Sequence, residues 1–249
     1  MEKKDFFSKQ SAAYAAFRPT YPEELYRFIF KHLKDTSCAW DCATGNGQVA
    51  RYLAKHFHKV YATDISRQQL NNAFRAHNIL YSLSAAEKTI FERSQFDLIT
   101  VGQALHWFDL DAFYKEVQRT GKPGGLLAAW GYDLPTIEPV IDALLLDFYH
   151  NKMGPYWDHA RKLVENQYRN IPFPFKEILC PDLYIKINWT ADQFTGYLSS
   201  WSATQKFILA NGDDPLDSFR KKLLAVWKPE EVKIATFPVF MRLGRISLF

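Results

Sequence analysis

The sequence has few of the features that mark secreted, membrane-spanning or nucleic-acid-binding proteins. It contains only three cysteines, Cys38, Cys42 and Cys180, and they are not spaced as metal ligands. An odd, low cysteine count is typical of a reducing compartment.

No run approaches the roughly 18 apolar residues that a membrane-spanning helix needs. The first 17 residues have no clean apolar run, so a signal peptide is not expected. The formal net charge is only +4 and no block of five Lys or Arg occurs, which disfavours nucleic acid as a partner. These absences predict a cytoplasmic protein that binds neither membranes nor nucleic acids.

The remaining composition is that of an ordinary globular protein. The chain has 249 residues, of which 47% are hydrophobic and 23% are charged. This is enough for one large α/β domain, or for a domain with a cap. Aromatic residues reach 16%, which indicates either a densely packed core or an aromatic-lined pocket.

The first half of the chain alternates between strand-like and helix-like segments. Short apolar runs predict strands, and apolar residues at helical spacing predict helices. The expected strands are 37–43, 59–64, 78–84, 96–102 and 126–132, and the expected helices are 48–57, 67–77 and 109–125. Ser66 is expected to cap the second of these helices. This order predicts a parallel sheet with right-handed crossovers, in which ligands bind beyond the carboxyl ends of the strands.

The second half is less regular, and prolines interrupt its first helical stretches. Strands are predicted at 183–189 and 234–246. Thr190 is expected to cap a helix, and a further helix is expected over 217–227. Pro238, inside the last strand, indicates a bulge or an edge position because proline has no N–H for the ladder.

The loop "DCATGNG" at 41–47 is the most informative segment. A dinucleotide-binding loop usually has three glycines, G-x-G-x-x-G, which bring a pyrophosphate to a helix N-terminus. Here Gly45 and Gly47 are present and the third position is Ala50. Asp41 precedes them, and a carboxylate there can fix the loop backbone or reach an ammonium group, but it would repel a pyrophosphate. A ligand with a positive charge therefore suits the loop better than NAD does.

Asp64 ends the second predicted strand, in "YATDIS". An acid at this position can accept hydrogen bonds from both hydroxyls of a ribose. The alternative is that it caps the helix that begins near Ser66.

Five stretches together resemble one family. "DCATGNG", "YATDIS", "SAAEK", "FDLITVGQALHWF" and "KPGGLL" are similar to the motifs of class I S-adenosylmethionine-dependent methyltransferases, and most resemble the trans-aconitate methyltransferase-like branch. The resemblance covers roughly residues 10–132, and "MRLGRI" near the end also fits it.

The resemblance implies an α/β fold with a Rossmann-like, seven-stranded, mostly parallel sheet. Helices would lie on both faces, the final strand would be antiparallel, and a helical cap would set substrate choice. The whole chain, 1–249, would form one methyltransferase domain. Its parts would be an N-terminal lid and first helix (1–36), a cofactor-binding core (37–133), a cap (134–182 and 190–232) and the last strands (183–189 and 234–246).

The resemblance also implies which residues contact S-adenosylmethionine. They are Asp41, Gly45, Gly47 and Gln103 at the methionine end, Asp64 at the ribose, Ile65, Ala86 and Glu87 at the adenine, and Arg18 and Tyr21 from the lead-in "FRPTYP" at 17–22. The alternative for that lead-in is a proline-stiffened approach to the first helix. No metal ion is expected.

His106 in "QALHWF" is the candidate catalytic residue. Its ordinary pKa near 6.5 suits a general base. The alternative, a histidine that holds the loop by a hydrogen bond, is favoured because the resemblance places this His-Trp pair in members with different substrates. Trp107, Trp130 and Tyr132 could form the wall of the acceptor pocket, although Trp130 could equally be strand core. Trp157 and Trp201 are expected in the core of the cap rather than in a pocket.

The predicted function is methyl transfer to a small-molecule acceptor, and the resemblance allows a carboxylate. A carboxylate is already ionised at pH 7 and needs no base. Two alternatives stay open at this point, a non-catalytic S-adenosylmethionine-binding protein and an NAD(P)-dependent oxidoreductase. A nucleic-acid methyltransferase is disfavoured because "VGQA" stands where an N-P-P-Y-like tetrad would be expected.

Overall fold

The computed structural model describes residues 18–247. An eight-stranded sheet runs through its centre. The first half contributes β1 (Cys38–Cys42), β2 (Lys59–Asp64), β3 (Ile79–Leu83), β4 (Phe96–Gly102) and β5 (Gly121–Tyr132). The second half contributes β6 (Lys176–Ile178), β7 (Leu183–Trp189) and β8 (Lys233–Arg245).

The first five strands are parallel and lie in the order β3-β2-β1-β4-β5. The chain order reverses between β1 and β4, so the connections after these two strands diverge and leave a crevice at the carboxyl edge of the sheet. The loops after β1, β2, β4 and β5 all open at this edge. The sequence predicted both the parallel sheet and this convergence.

Strand β8 is antiparallel to β5 on one side, and on its other side it pairs with both β7 and the short β6. The predicted antiparallel final strand is thus confirmed, within a sheet of eight strands rather than seven. Strand β6 has only three residues and no alternating pattern, so its sequence carries no signal for a strand. The carbonyl of Pro238 accepts a hydrogen bond from the N–H of Asp133 at 2.9 Å. The edge of β8 on which Pro238 lacks an N–H group therefore faces the end of β5. On its other edge, β8 pairs with β7 through Pro238 without a bulge.

Within residues 18–247, nine α-helices precede or connect these strands, together with short helical turns at Leu105–Trp107, Phe148–Lys152 and Gly154–Tyr156. The α-helices are α1 (Glu23–Lys31), α2 (Gln48–Leu53), α3 (Arg67–Asn71), α4 (Leu110–Thr120), α5 (Pro139–Asp147), α6 (Arg161–Glu165), α7 (Ala191–Ser199), α8 (Ser202–Asn211) and α9 (Leu216–Leu224). Both predicted caps are confirmed, since Ser66 accepts the N–H of Gln69 at 3.3 Å and Thr190 forms a capping box with Gln193.

Three predicted helices were too long. Helix α2 ends at Leu53 and α3 at Asn71, and Gly121 already begins β5 instead of continuing α4. Phe74, inside the predicted helix 67–77, lies beyond the end of α3 and is 41% exposed. Its backbone N–H donates to the carbonyl of Asn46 in the β1–α2 loop at 3.1 Å. The glycine loop thus ends the helix early.

Each face of the sheet carries one hydrophobic cluster. The larger cluster runs from α1 and α2 across β5 and β8 into the helices of the second half. Its aromatic members from those helices are Phe194, Tyr197, Phe207 and Phe219. The segments expected to form a cap therefore share a continuous core with the sheet, which fixes their side chains relative to the carboxyl edge.

Candidate active site

A buried carboxylate fixes the loop between β1 and α2. Asp41 is 1% exposed. Its Oδ2 accepts hydrogen bonds from the hydroxyl of Thr44 and from the N–H of Ala50, and its Oδ1 accepts from the hydroxyl of Thr100 at 2.8 Å. Burial raises the pKa of Asp41 to about 6, although these hydrogen bonds act to lower it. Asp41 thus links β1, α2 and β4. Of the two roles that the sequence allowed, fixing the loop backbone or reaching an ammonium group, this arrangement corresponds to the first.

The two glycines of the loop have different reasons to lack a side chain. Both adopt positive φ, +57° at Gly45 and +82° at Gly47. A Cβ on Gly47 would lie 2.3 Å from the hydroxyl oxygen of Tyr81, so the close approach of that ring requires glycine. A Cβ on Gly45 would meet no atom within 4 Å. Gly45 therefore presents its bare backbone to open space in front of the loop, as a cofactor-cradling turn requires.

Asp64 joins two loops at the end of β2. Its Oδ2 accepts the N–H of Gly45 at 2.8 Å, and its Oδ1 accepts the N–H of Ser66 at 2.8 Å. Ser66, not Asp64, is the cap of α3. The carboxylate thus holds the glycine loop against the start of α3.

The residues expected near an adenine follow β2 and β3. Ile65 is 45% exposed, whereas Ala86 is buried. The N–H of Ser84 donates to the carbonyl of Asp64 at 3.0 Å, which brings the segment that contains Ala86 beside the end of β2. Glu87 accepts the N–H of Asp109 at 3.0 Å and so ties this segment to the start of α4.

A cavity opens between the glycine loop and the lead-in to α1. Its wall contains five of the residues predicted for the methionine end: Arg18, Tyr21, Asp41, Gly45 and Gln103. The other wall residues come from the lead-in, the glycine loop, the start of α2 and the ends of β4 and β5: Pro19, Ala43, Thr44, Asn46, Gln48, Val49, Gly102 and Tyr132. The four residues predicted for the ribose and adenine are not in this wall. We call this space the cofactor cavity.

Gln103 lies at the inner end of the cofactor cavity in a conformation that is rare for its residue type. Its φ is +55°, in the left-handed region that non-glycine residues seldom adopt. Its N–H donates to the carbonyl of Trp130 at 2.8 Å, and its Oε1 accepts the N–H of Tyr132 at 3.0 Å. A Cβ on Gly131 would lie 2.4 Å from that Oε1. Gly131 therefore makes the room that Gln103 occupies.

A second space adjoins the cofactor cavity and shares Arg18, Gln103 and Tyr132 with it. Its other wall residues are His106, Trp107, Trp157, Asp158, Arg161, Tyr197, Trp201 and Ser202. Most of these come from the segments predicted to form the cap. We call this space the acceptor chamber.

Arg18 forms the partition between the two spaces. Its Nη1 donates to the hydroxyl of Tyr132 at 2.9 Å, and its Nη2 donates to the carbonyl of Ser200 at 3.2 Å. The ring of Tyr21 packs edge-on against Trp130 with the centroids 5.4 Å apart. The lead-in to α1 is thus held over the carboxyl edge of the sheet, and the rest of the predicted lid, residues 1–17, lies outside the described residues.

His106 is half-buried and shares a hydrogen bond with a tyrosine from the second half of the chain. Its Nδ1 lies 3.0 Å from the hydroxyl of the fully buried Tyr168. Burial, and secondly the charge of Arg161, lower the pKa of His106 to about 3. The imidazole is therefore neutral at pH 7 and is a very weak base, which favours the loop-holding alternative over a general base.

Arg161 presents a cation to the acceptor chamber. Its guanidinium lies 5.1 Å from the centre of the Trp157 ring and 5.6 Å from that of Tyr149, and its Nε donates to the Tyr149 hydroxyl at 2.9 Å. Within residues 18–247, no carboxylate lies within ion-pair distance of it. The acid that shares the chamber wall, Asp158, is paired with Lys206 at 2.7 Å.

The aromatic residues divide differently from the prediction. Trp107 and Tyr132 line the acceptor chamber. Trp130 does not: it is fully buried, in the sheet layer beneath Tyr21, which corrects its assignment to the pocket wall. Of the two residues expected in the core of the cap, Trp201 is buried in that core and Trp157 packs against it. Both also line the chamber.

Sequence reasoning missed Arg161, Asp158, Tyr168 and Tyr197. All four lie in the irregular second half, where neither a glycine loop nor a strand end marks a site. In the described part of the chain, no cluster of three His, Cys, Asp or Glu side chains could hold a metal ion. No helix in that part is long and apolar enough to cross a membrane.

Comparison with known proteins places this site in a family. Residues 40–129 match the family model described as "Methyltransferase domain". A protein of Dictyostelium discoideum named "Putative methyltransferase" is 35% identical, over 97% of this chain and 95% of its own length. A protein of Saccharomyces cerevisiae named "Probable S-adenosylmethionine-dependent methyltransferase" is 26% identical, over 69% of this chain and 62% of its own length.

A solved structure shares the whole fold. The "Putative Type II Methyltransferase" from Anaeromyxobacter dehalogenans is 37% identical, covers 94% of this chain and 100% of its own, and superposes with a TM-score of 0.86. Its match extends beyond the glycine loop and the parallel strands to the helices and strands of the second half. The chain therefore belongs to the class I S-adenosylmethionine-dependent methyltransferases, and S-adenosylmethionine is its cofactor.

Proposed function

We propose that this enzyme methylates a small-molecule acid at a carboxylate oxygen. The cofactor supplies a methyl group on a sulfonium, whose departing sulfide is neutral and needs no general acid. What the chain must provide is alignment of the acceptor atom about 3–3.5 Å from the methyl carbon. The acceptor chamber adjoins the cofactor cavity and is suited to that task.

The residues present fit the cofactor. The bare backbone at Gly45 leaves a space that a side chain would enter, and the cavity beside it is lined by Arg18, Tyr21 and Gln103. We assign these residues, with Asp41 and Gly47 behind them, to the methionine end. Asp64 would bind the ribose, and Ile65, Ala86 and Glu87 would lie at the adenine. Asp64 would then exchange at least one of its present hydrogen bonds for the ribose hydroxyls.

The observation that carries the acceptor class is Arg161. A guanidinium held between two aromatic rings, with its Nε already bonded, directs its remaining N–H groups to a ligand. Guanidinium groups bind carboxylates with two parallel hydrogen bonds. Arg18 adds a second positive charge, because it belongs to the wall that the chamber shares with the cofactor cavity. Since Asp158 is neutralised by Lys206, the chamber favours an anion.

Among residues 18–247, none in the chamber wall is a strong base, which favours the same acceptor class. His106 is the base candidate nearest to β4, and its pKa of about 3 makes it unsuited to take a proton from an alcohol, phenol or ammonium group. A carboxylate needs no such group because it is ionised at pH 7. The resemblance to the trans-aconitate methyltransferase-like branch supports the same acceptor class. The low cysteine count supports a cytoplasmic location.

A direct test uses S-adenosylmethionine labelled in the methyl group and a panel of small carboxylic acids, each paired with its amide. We expect label to enter acids but not amides, and to be released as methanol by mild alkali, as for a methyl ester. Label that is stable to alkali would show an alcohol, amine or carbon acceptor and would overturn the proposal.

The same preparation distinguishes an enzyme from a non-catalytic binding protein. S-adenosylhomocysteine at 100 times its dissociation constant adds about 2.7 kcal/mol to the free energy of unfolding, which is on the order of 5–10 °C in melting temperature for a chain of this size. A shift of that size without label transfer from any acid would favour the binding protein. A shift with NADH alone would contradict the family assignment.

A further inference from the structure

Among residues 18–247, Tyr168 is the one residue that hydrogen bonds to the imidazole of His106, and it lies outside the chamber wall. It is fully buried and comes 62 positions later in the chain. Its hydroxyl lies 3.0 Å from Nδ1 of His106. No motif marks this residue, and no role for it follows from methyl transfer itself.

The surroundings of Tyr168 decide which atom of this pair carries the proton. Burial raises the pKa of the Tyr168 phenol well above its usual value, so the phenol is protonated at pH 7. Within residues 18–247, the Tyr168 hydroxyl has no hydrogen-bond partner other than Nδ1 of His106. Because a buried O–H group is rarely left unbonded, the phenol donates its proton to Nδ1.

An imidazole whose Nδ1 accepts a hydrogen bond must carry its own proton on Nε2 when it is neutral. Nε2 of His106 makes no hydrogen bond to any residue in the range 18–247, and the ring lines the acceptor chamber. Nε2–H is therefore the polar group that the neutral His106 offers to the chamber.

The backbone at Tyr168 is held in a costly conformation to make this contact. Gln167 and Tyr168 both have positive φ, +53° and +57°. Arg242, on β8, donates to the carbonyls of Tyr168 and Ile171. The ring of Phe240 packs edge-on against Tyr168 with the centroids 5.1 Å apart. Two consecutive left-handed non-glycine residues persist only where surrounding contacts compensate them.

We propose that Tyr168 is a positioning residue, which fixes His106 as an Nε2–H hydrogen-bond donor directed at the anionic acceptor. This inference rests on the proposed function for the identity of the acceptor. The tautomer of the His106 ring does not depend on it. His106 would then orient a carboxylate oxygen together with Arg161, and would not remove a proton.

The test compares Tyr168→Phe with Tyr114→Phe. Tyr114 is a second buried tyrosine of the same hydrophobic cluster, and its hydroxyl has no hydrogen-bond partner within residues 18–247. Both variants lose one hydroxyl from a buried ring, but only Tyr168→Phe also loses a hydrogen bond. Comparing them separates the effect of the hydrogen bond from that of the missing atom. Melting temperatures establish that both variants fold.

The first readout is the nitrogen NMR spectrum of enzyme labelled with ¹⁵N-histidine, in which protonated and unprotonated ring nitrogens have distinct shifts. We expect wild type and Tyr114→Phe to show Nδ1 unprotonated and Nε2 protonated at pH 7. In Tyr168→Phe the two shifts should move toward each other as the tautomer is released. A protonated Nδ1 in wild type, or an unchanged spectrum in Tyr168→Phe, would overturn the proposal whatever the acceptor proves to be.

The second readout is kinetic, with an acid found by the labelling panel. Tyr168→Phe should lower kcat/KM for that acid roughly 2- to 12-fold, the worth of one ordinary hydrogen bond, with the affinity for S-adenosylhomocysteine unchanged. In a His106→Ala background the same change should have no further effect, since Tyr168 acts through His106. Equal losses in both backgrounds would refute the positioning role. Failure to methylate any acid would refute the proposed function and leave the spectroscopic result to decide the present inference.

Discussion

Replacing Arg161 by glutamine should separate acceptor binding from cofactor binding. The guanidinium lines the acceptor chamber but not the cofactor cavity. A hydrogen bond to a charged partner contributes roughly 1.5–3 kcal/mol, which corresponds to about 10- to 150-fold in kcat/KM. We expect a loss within this range for the acidic substrate, with the dissociation constant of S-adenosylhomocysteine unchanged.

The adjacent Lys162 provides a matched control. It is exposed on α6 and lies outside the chamber wall, so Lys162→Gln removes the same unit of charge from the same helix. Its kcat/KM should stay within twofold of wild type. Arg161→Lys keeps the charge but not the planar pair of donors, and should recover only part of the activity.

The pH at which the loss is measured also matters, because Arg161 acts on His106. Its charge is the second cause of the low pKa of His106, after burial. Removing the charge raises that pKa, but burial still keeps the imidazole neutral near pH 7. The loss in Arg161→Gln should therefore be equal at pH 7 and pH 8. A loss below threefold, or an equal loss in Lys162→Gln, would show that Arg161 is not the anion site.

Four further outcomes are expected. The kcat of wild type should be flat from pH 6 to 8 because His106 stays neutral, whereas an acid limb near pH 6.5 that disappears in His106→Ala would restore the general base. Asp64→Asn should weaken S-adenosylhomocysteine binding at least tenfold in calorimetry, while a fall in melting temperature alone would leave Asp64 a purely structural link between loops. Gly131→Ala should lower the free energy of unfolding by about 1–3 kcal/mol and raise the acceptor KM, because its Cβ displaces the Gln103 amide oxygen; unchanged values for both would contradict the packing. The pKa of Asp41 is raised from 3.8 to about 6, so its folded form holds a proton that the unfolded chain releases. The unfolding free energy of wild type minus that of Asp41→Asn should thus decrease by about 2 kcal/mol between pH 4 and 7, and no decrease in urea titrations would refute the raised pKa.

The sheet and the glycine loop could be predicted because their signals are local. The bounds of β2 and β4 coincide with the predicted 59–64 and 96–102, since a buried parallel strand is a short apolar run between turn residues. Thr190 and Gln193 mark a helix start within four residues. The helix ends were predicted less well because tertiary contacts decide them, as the bond between Phe74 and Asn46 shows at the end of α3.

The acceptor chamber could not be predicted because it is assembled by packing at long range. Tyr168 reaches His106 from a backbone that Arg242, on the last strand, holds by a hydrogen bond. Arg161 lies in "DHARKLVEN", a stretch with no periodic pattern that would separate it from an ordinary surface helix. Trp130 shows the converse limit: a strand-end position suggests a pocket, but the ring of Tyr21 covers Trp130 and leaves Tyr132, two residues further along the same face of β5, to line the site.

The place of β8 in the sheet has a consequence for how the chain folds during synthesis. Strands β1 to β5 can pair with one another as soon as the first half has left the ribosome. Within residues 18–247, strands β6 and β7 pair only with β8, so they have no partner until residues 233–245 have been translated. Until then the exposed edges and aromatic side chains of the second half lack their native cover, a state that is prone to aggregation. The chamber residues that the second half contributes, such as Arg161 and Trp201, therefore reach their native positions late, and assembly of the acceptor chamber is coupled to the slow, non-local step of folding.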